Sequence, residues 1–96
     1  MSVEEYKSKI IELKPILKNE YGIKNIAIFG SYVRGEEKRD SDLDILVEFE
    51  KPIGLLKFVD LKLKLSEVLG VKVDLVMKSA LKPRIGKRIL EEAIYL

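Results

Sequence analysis

The sequence predicts an α/β (α+β) fold: a small three-stranded mixed sheet with flanking helices. Two patterns point to it. Short apolar runs of strand length, at 26–29, 42–49 and 71–77, alternate with segments whose apolar residues recur at helical spacing. Glycine or proline punctuates the joins, as at Gly22, Gly35, Pro52, Gly54, Gly70 and Pro83. The whole chain, 1–96, is read as a single domain, because 96 residues fill one core only.

The first helix opens on a capping-box pair, Ser2 with Glu5, and carries Val3, Tyr6, Ile10, Leu13 and Leu17 along one stripe. Pro15 lacks an N–H and crowds the preceding turn, so it is expected to kink or restart this helix before Gly22 stops it. The run at 26–29 has no polar alternation and reads as a strand buried on both faces. It ends at Gly30-Ser31, where a turn of helix through Arg34 is expected before Gly35 and a charged loop at 36–41. From 42 to 49 the residues alternate, with Asp42, Asp44, Leu46 and Glu48 on one face and Leu43, Ile45, Val47 and Phe49 on the other. The helix at 55–69 has a polar stripe of Lys57, Asp60, Lys64 and Glu67. Its apolar residues fall in two sectors, one of Leu56, Val59 and Leu63, the other of Phe58, Leu61 and Leu65. One sheet face cannot bury both sectors, so one is expected at an interface, with a second copy of the chain as one candidate; the alternative is a helix deeply embedded in a small core. The third strand sets Asp74 opposite Val73 and Leu75. Lys82-Pro83 then opens a last helix along Ile85, Ile89, Ala93 and Leu96. The short link between the first two strands favours an antiparallel pair, and the helical crossover to the third permits a parallel one.

Composition narrows the chemistry. At 47% apolar and 35% charged the chain is too apolar for disorder, and Cys, His, Trp, Thr and Gln are absent. Those absences, with abundant Lys and Glu, suit a heat-adapted protein. Without cysteine there is no thiolate, and without histidine the commonest general base is missing, so catalysis must come from carboxylates, lysines, hydroxyls or a metal. There is no signal-like leader and no apolar run of membrane-spanning length, so a cytoplasmic protein with no membrane partner is expected. A formal charge of +2 and no aromatic platform give no case for a nucleic-acid partner.

Asp42 and Asp44, two residues apart on a strand, project from the same face. Such a pair repels unless a cation lies between, and it heads a strand of Ile, Leu, Val and Phe where an unpaired charge is costly. Oxygen ligands of this kind suit Mg²⁺ or Mn²⁺. Asp74 repeats the pattern in a buried-looking strand. Each signal alone has an ordinary explanation: a solvated strand start, an edge residue facing water, and for Gly30-Ser31 a turn or helix cap.

The combination is more specific. Gly30-Ser31, ten residues, then Asp42-Leu43-Asp44, with Asp74 on the next strand, resembles the signature of the polymerase-β-like nucleotidyltransferases. The text around them, residues 29–35, 41–47 and 73–76, is similar to the minimal nucleotidyltransferase (MNT) subfamily, the antitoxins of HEPN/MNT toxin–antitoxin pairs. The resemblance runs from about residue 21 to the end and implies a polymerase-β-like nucleotidyltransferase core.

It also implies a site: Asp42, Asp44 and Asp74 as catalytic ligands of two Mg²⁺ or Mn²⁺ ions, with Gly30 and Ser31 holding the triphosphate of ATP. Gly30 would let the backbone approach the phosphates. Arg34 has two readings, a triphosphate contact or an ion pair with Glu36. The basic group Lys78, Lys82, Arg84, Lys87 and Arg88 likewise faces either phosphate or an acidic partner, or is simply a solvated helix face. The implied reaction is transfer of AMP from ATP to a protein hydroxyl, a tyrosine of a cognate HEPN toxin. The alternatives are an antitoxin that neutralises by binding alone, and a nucleotidyltransferase acting on small molecules. Many relatives carry a second domain for base or acceptor, for which 96 residues leave no room, so the acceptor surface is expected from a partner or second copy.

Overall fold

The computed structural model describes residues 2–96. Helix α1 (Val3–Tyr21) leads to strand β1 (Ile23–Phe29), the one-turn helix α2 (Ser31–Arg34) and strand β2 (Leu43–Phe49). Helix α3 (Leu55–Leu69), strand β3 (Val73–Met77), a 3-10 turn (Lys78–Ala80), helix α4 (Pro83–Glu92) and strand β4 (Ile94–Tyr95) follow. The strands form one sheet in the order β3-β2-β1-β4. β1 is antiparallel to β2 and β4, and β2 is parallel to β3, so the sheet is mixed as expected.

The strand count differs from the expected three, and the difference lies in the last residues. Ala93 and Leu96 do not continue a helix: α4 stops at Glu92 and Ala93 is extended. Ile94 pairs with Ile28 and Tyr95 with Ala27, while the Leu96 N–H donates to the Ile26 carbonyl at 3.0 Å. Ile26 and Ile28, whose backbone groups face β4, are buried, so a continued helix would have left those groups without partners. The β-branched and aromatic pair Ile94-Tyr95 also suits a strand. A second correction concerns Pro15, which does not restart α1; the helix runs as one element from Val3 to Tyr21. Pro15 lies on the exposed side, as does Ile11, whose carbonyl loses its helical donor where solvent is accessible. Both helix ends follow expectation, with the Ser2–Glu5 capping box closed and Gly22 left-handed at φ 68°.

The two faces of the sheet are covered unequally. On one, α1 and α3 press Tyr6, Ile10, Leu17, Leu61, Leu65 and Leu69 against Ile26, Ile28, Leu43, Ile45, Val47 and Val73. Each such aliphatic side chain contributes about 2 kcal/mol by leaving water. The Tyr21 hydroxyl ties the two helices by donating to Asp60 at 2.6 Å; burial and this bond push the phenol up to about 12. On the other face Ile89 of α4, with Leu81 before the helix and Ala93 after it, packs onto Ala27, Phe29 and Leu46. The starts of β2 and β3 on that face stay open. The outward sector of α3 is also uncovered, with Leu56 87%, Leu63 62% and Val59 41% exposed. No helix of the described residues is long and apolar enough to cross a membrane.

Candidate active site

Register brings the acids and the glycine together. Phe29 of β1 stands opposite Asp44 of β2, and Asp44 stands opposite Asp74 of β3. Neighbouring strands lie about 4.8 Å apart, and in-register residues share a face, so Asp44 and Asp74 are side by side. Alternation places them on the α4 face with Leu46 and Val76, at the end α4 leaves open. Asp42 lies one residue ahead of β2, half-buried, and its charge still acts on Asp44.

Asp44 carries the strain of this arrangement. Burial first, then Asp74 and Asp42, push its acid from 3.8 up to about 6, against a small opposing pull from Arg34. Asp74, by contrast, is exposed, because β3 is the edge of the sheet. The expectation of a costly buried charge therefore holds for Asp44 and not for Asp74. The donors here are all carboxylate oxygens beside an acid held above its ordinary range, which suits a hard divalent cation. Among the described residues no three acidic side chains converge tightly enough to grip a single ion by themselves.

Gly30 follows from the same geometry. Its φ of 83° with ψ of −154° is open to glycine alone, and a Cβ there would sit 2.8 Å from Asp44 Cγ and closer still to Oδ2. The collision that excludes a side chain is thus with Asp44. Ser31 and Tyr32 open α2, and among the described residues no hydrogen bond holds their N–H groups. As the first residues of a helix they have no carbonyl one turn back to bond.

Arg34 meets one of its two expected partners and one that sequence reasoning missed. Its Nε donates to Glu36 at 3.1 Å and its Nη1 to Glu92 at 2.6 Å. The other Glu92 oxygen accepts from the Gly30 N–H at 2.7 Å. Burial alone would raise the Glu92 acid, but Arg34 and the Gly30 N–H hold it below its ordinary value. A signal for it existed: Ile85, Arg88, Ile89 and Glu92 follow helical spacing, so two charges share the inward face of α4. With Phe29, Gly30, Arg34 and Asp44 these four line a cavity of about 300 Å³ between α4 and the turn. Of the basic group, Arg88 alone lines it. Larger openings of about 520 and 600 Å³ lie beside Pro15 and at the far ends of β2 and β3, away from the acids.

Similarity to known proteins agrees with this geometry. The family described as "Nucleotidyltransferase domain" matches residues 10–96. The chain is 49% identical over 96 residues to the protein adenylyltransferase MntA of Thermococcus cleftensis, covering 100% of this chain and 97% of that protein. A solved structure described as a minimal nucleotidyltransferase superposes with a TM-score of 0.85 at 41% identity, covering 100% of this chain and 97% of that one. A toxin–antitoxin complex solved with AMP-PNP superposes with a TM-score of 0.77 at 28% identity, covering 92% of this chain and 69% of that one. The chain belongs to the nucleotidyltransferase-domain family, as one of its minimal, MntA-like members.

Proposed function

We propose that this chain transfers AMP from ATP to a protein hydroxyl, a tyrosine of a cognate HEPN toxin, and so acts as its antitoxin. The observation that carries the catalytic half is the in-register pair Asp44 and Asp74 beside a Gly30 that has no space for a side chain. Support for the biological half comes from relatives: one is named a protein adenylyltransferase, and another was solved as a toxin–antitoxin complex with an ATP analogue.

Asp42, Asp44 and Asp74 would hold two Mg²⁺ or Mn²⁺ ions. Bound there, such ions neutralise phosphate charge and make an acceptor hydroxyl easier to deprotonate. The free N–H groups at Ser31 and Tyr32, the Ser31 hydroxyl and Arg34 take the β- and γ-phosphates. The acceptor oxygen attacks the α-phosphorus from the open side of β3, where Asp74 is exposed. The bond from the α-phosphorus to the bridging oxygen breaks, pyrophosphate leaves with that electron pair, and the hydroxyl proton passes to solvent. The exposed sector of α3 is where a partner, or a second copy of the chain, would dock.

Incubation of the purified chain with Mg²⁺, labelled ATP and a co-expressed HEPN-type partner tests this reading. Label is expected on the partner, and expected to be lost with Asp42→Asn or Asp44→Asn. An unlabelled partner with the wild-type chain would sink it. The exposed α3 sector favours one further reading, neutralisation by binding alone. In that case a chain carrying both substitutions would still protect cells.

A further inference from the structure

We propose that Glu92 is a positioning residue for nucleotide binding, locking the Gly30 turn and aiming the Arg34 guanidinium at the triphosphate. The inference rests on Gly30, Ser31 and Arg34 being the nucleotide seat.

The strand register shows why Glu92 is built in. Ala27 pairs with Tyr95 and Ile28 with Ile94, so the same antiparallel register continued brings Gly30 opposite residue 92. The backbone at 92 is already helical, and the side-chain carboxylate takes the place of the missing strand acceptor, 2.7 Å from the Gly30 N–H. This N–H points toward the β4 side, away from β2, which carries Asp44. Glu92 therefore braces the turn from the β4 side of the cavity that Gly30, Arg34 and Asp44 share with it. Its second oxygen holds Arg34 Nη1 at 2.6 Å, while Glu36 holds Nε at 3.1 Å. Two acids thus grip two of the three guanidinium nitrogens, leaving Nη2 as the free donor edge among the described residues. The Glu92 side chain is only 20% exposed, against 45% for Arg34, so the anchor is the better enclosed partner. A guanidinium already held in place loses less freedom when phosphate binds.

Titration calorimetry of the full chain with ATP and Mg²⁺ decides the matter, comparing Glu92→Gln, Arg34→Ala and the double variant, with circular dichroism to monitor the fold. Gln keeps an acceptor for the Gly30 N–H but loses the charge that grips Arg34. Glu92→Gln is expected to weaken ATP binding about tenfold. The double variant should bind no more weakly than Arg34→Ala, because Glu92 acts through Arg34. Glu92→Asp, which keeps the charge but is one methylene shorter and cannot span both the Gly30 N–H and Arg34 Nη1, provides the same test should Glu92→Gln fail to fold, and should also weaken ATP binding. Binding by Glu92→Gln equal to or tighter than wild type overturns the proposal, as does a double variant whose losses multiply. A wild-type chain that binds no ATP would instead remove the nucleotide-seat reading, and this inference with it.

Discussion

Gly30 and Asp44 constrain each other, and the site turns on that contact. A methyl group at position 30 must both adopt a left-handed φ and push into the Asp44 carboxylate. Gly30→Ala is therefore expected to cost roughly 2 kcal/mol or more in urea unfolding. Asp44→Ala in the same chain should recover part of that loss, because the atoms in the way are gone; strictly additive losses would contradict the contact. Asp44 itself is held against its stability. Its acid is raised from 3.8 to about 6, so its contribution to folding is fully present below 3.8 and is lost as pH rises through about 6. Asp44→Asn should accordingly raise the melting temperature of the metal-free chain at about pH 8 and leave it nearly unchanged near pH 3. A wild-type chain as stable as the variant at the higher pH would show that Asp44 carries no such strain.

At the level of elements, what was legible followed periodicity, and what was not depended on pairing. The α3 boundaries and the glycine stops could be read directly, because helical spacing and a left-handed residue are local properties. The link between β1 and β2 favoured the antiparallel pairing that is found, while the helical crossover to β3 permitted, without requiring, the parallel one. β4 was hidden because Ile85, Ile89 and Ala93 fit a helix, and only the unpaired edge of β1 decides where that helix must stop. Helical spacing marks Glu92 as a charge on the inward face of α4, but not its partners Gly30 and Arg34, which lie 62 and 58 residues away in sequence. For Asp74 the sequence leaves a buried strand and a water-facing edge both open, because nothing local marks β3 as an edge; the structure gives the edge. Removing residues 94–96 strips β1 of its second neighbour and frees Glu92. The shortened chain is expected to melt well below the full one and to bind ATP more weakly, as thermal unfolding and calorimetry would show. Tyr21→Phe breaks only the α1–α3 tie to Asp60, and about 1 kcal/mol in urea unfolding is expected from it.

For the whole molecule, the unequal covering of the sheet separates two tasks. One face, beneath α1 and α3, holds the fold together, while the other is left partly open around the acids. The uncovered Leu56, Val59 and Leu63 lie on the outer side of α3, so their replacement should not disturb the core. Leu56→Ser with Leu63→Ser is expected to lower affinity for the proposed HEPN-type partner, read by co-purification, with the melting temperature nearly unchanged. The measurement that tests the central claim most directly is intact-mass and peptide mass spectrometry of that partner after co-expression. With the wild-type chain the partner should carry added AMP on a tyrosine, and with Asp44→Asn it should carry none. A partner unmodified in both cases, or modified equally in both, would contradict the assignment of adenylyl transfer to this site.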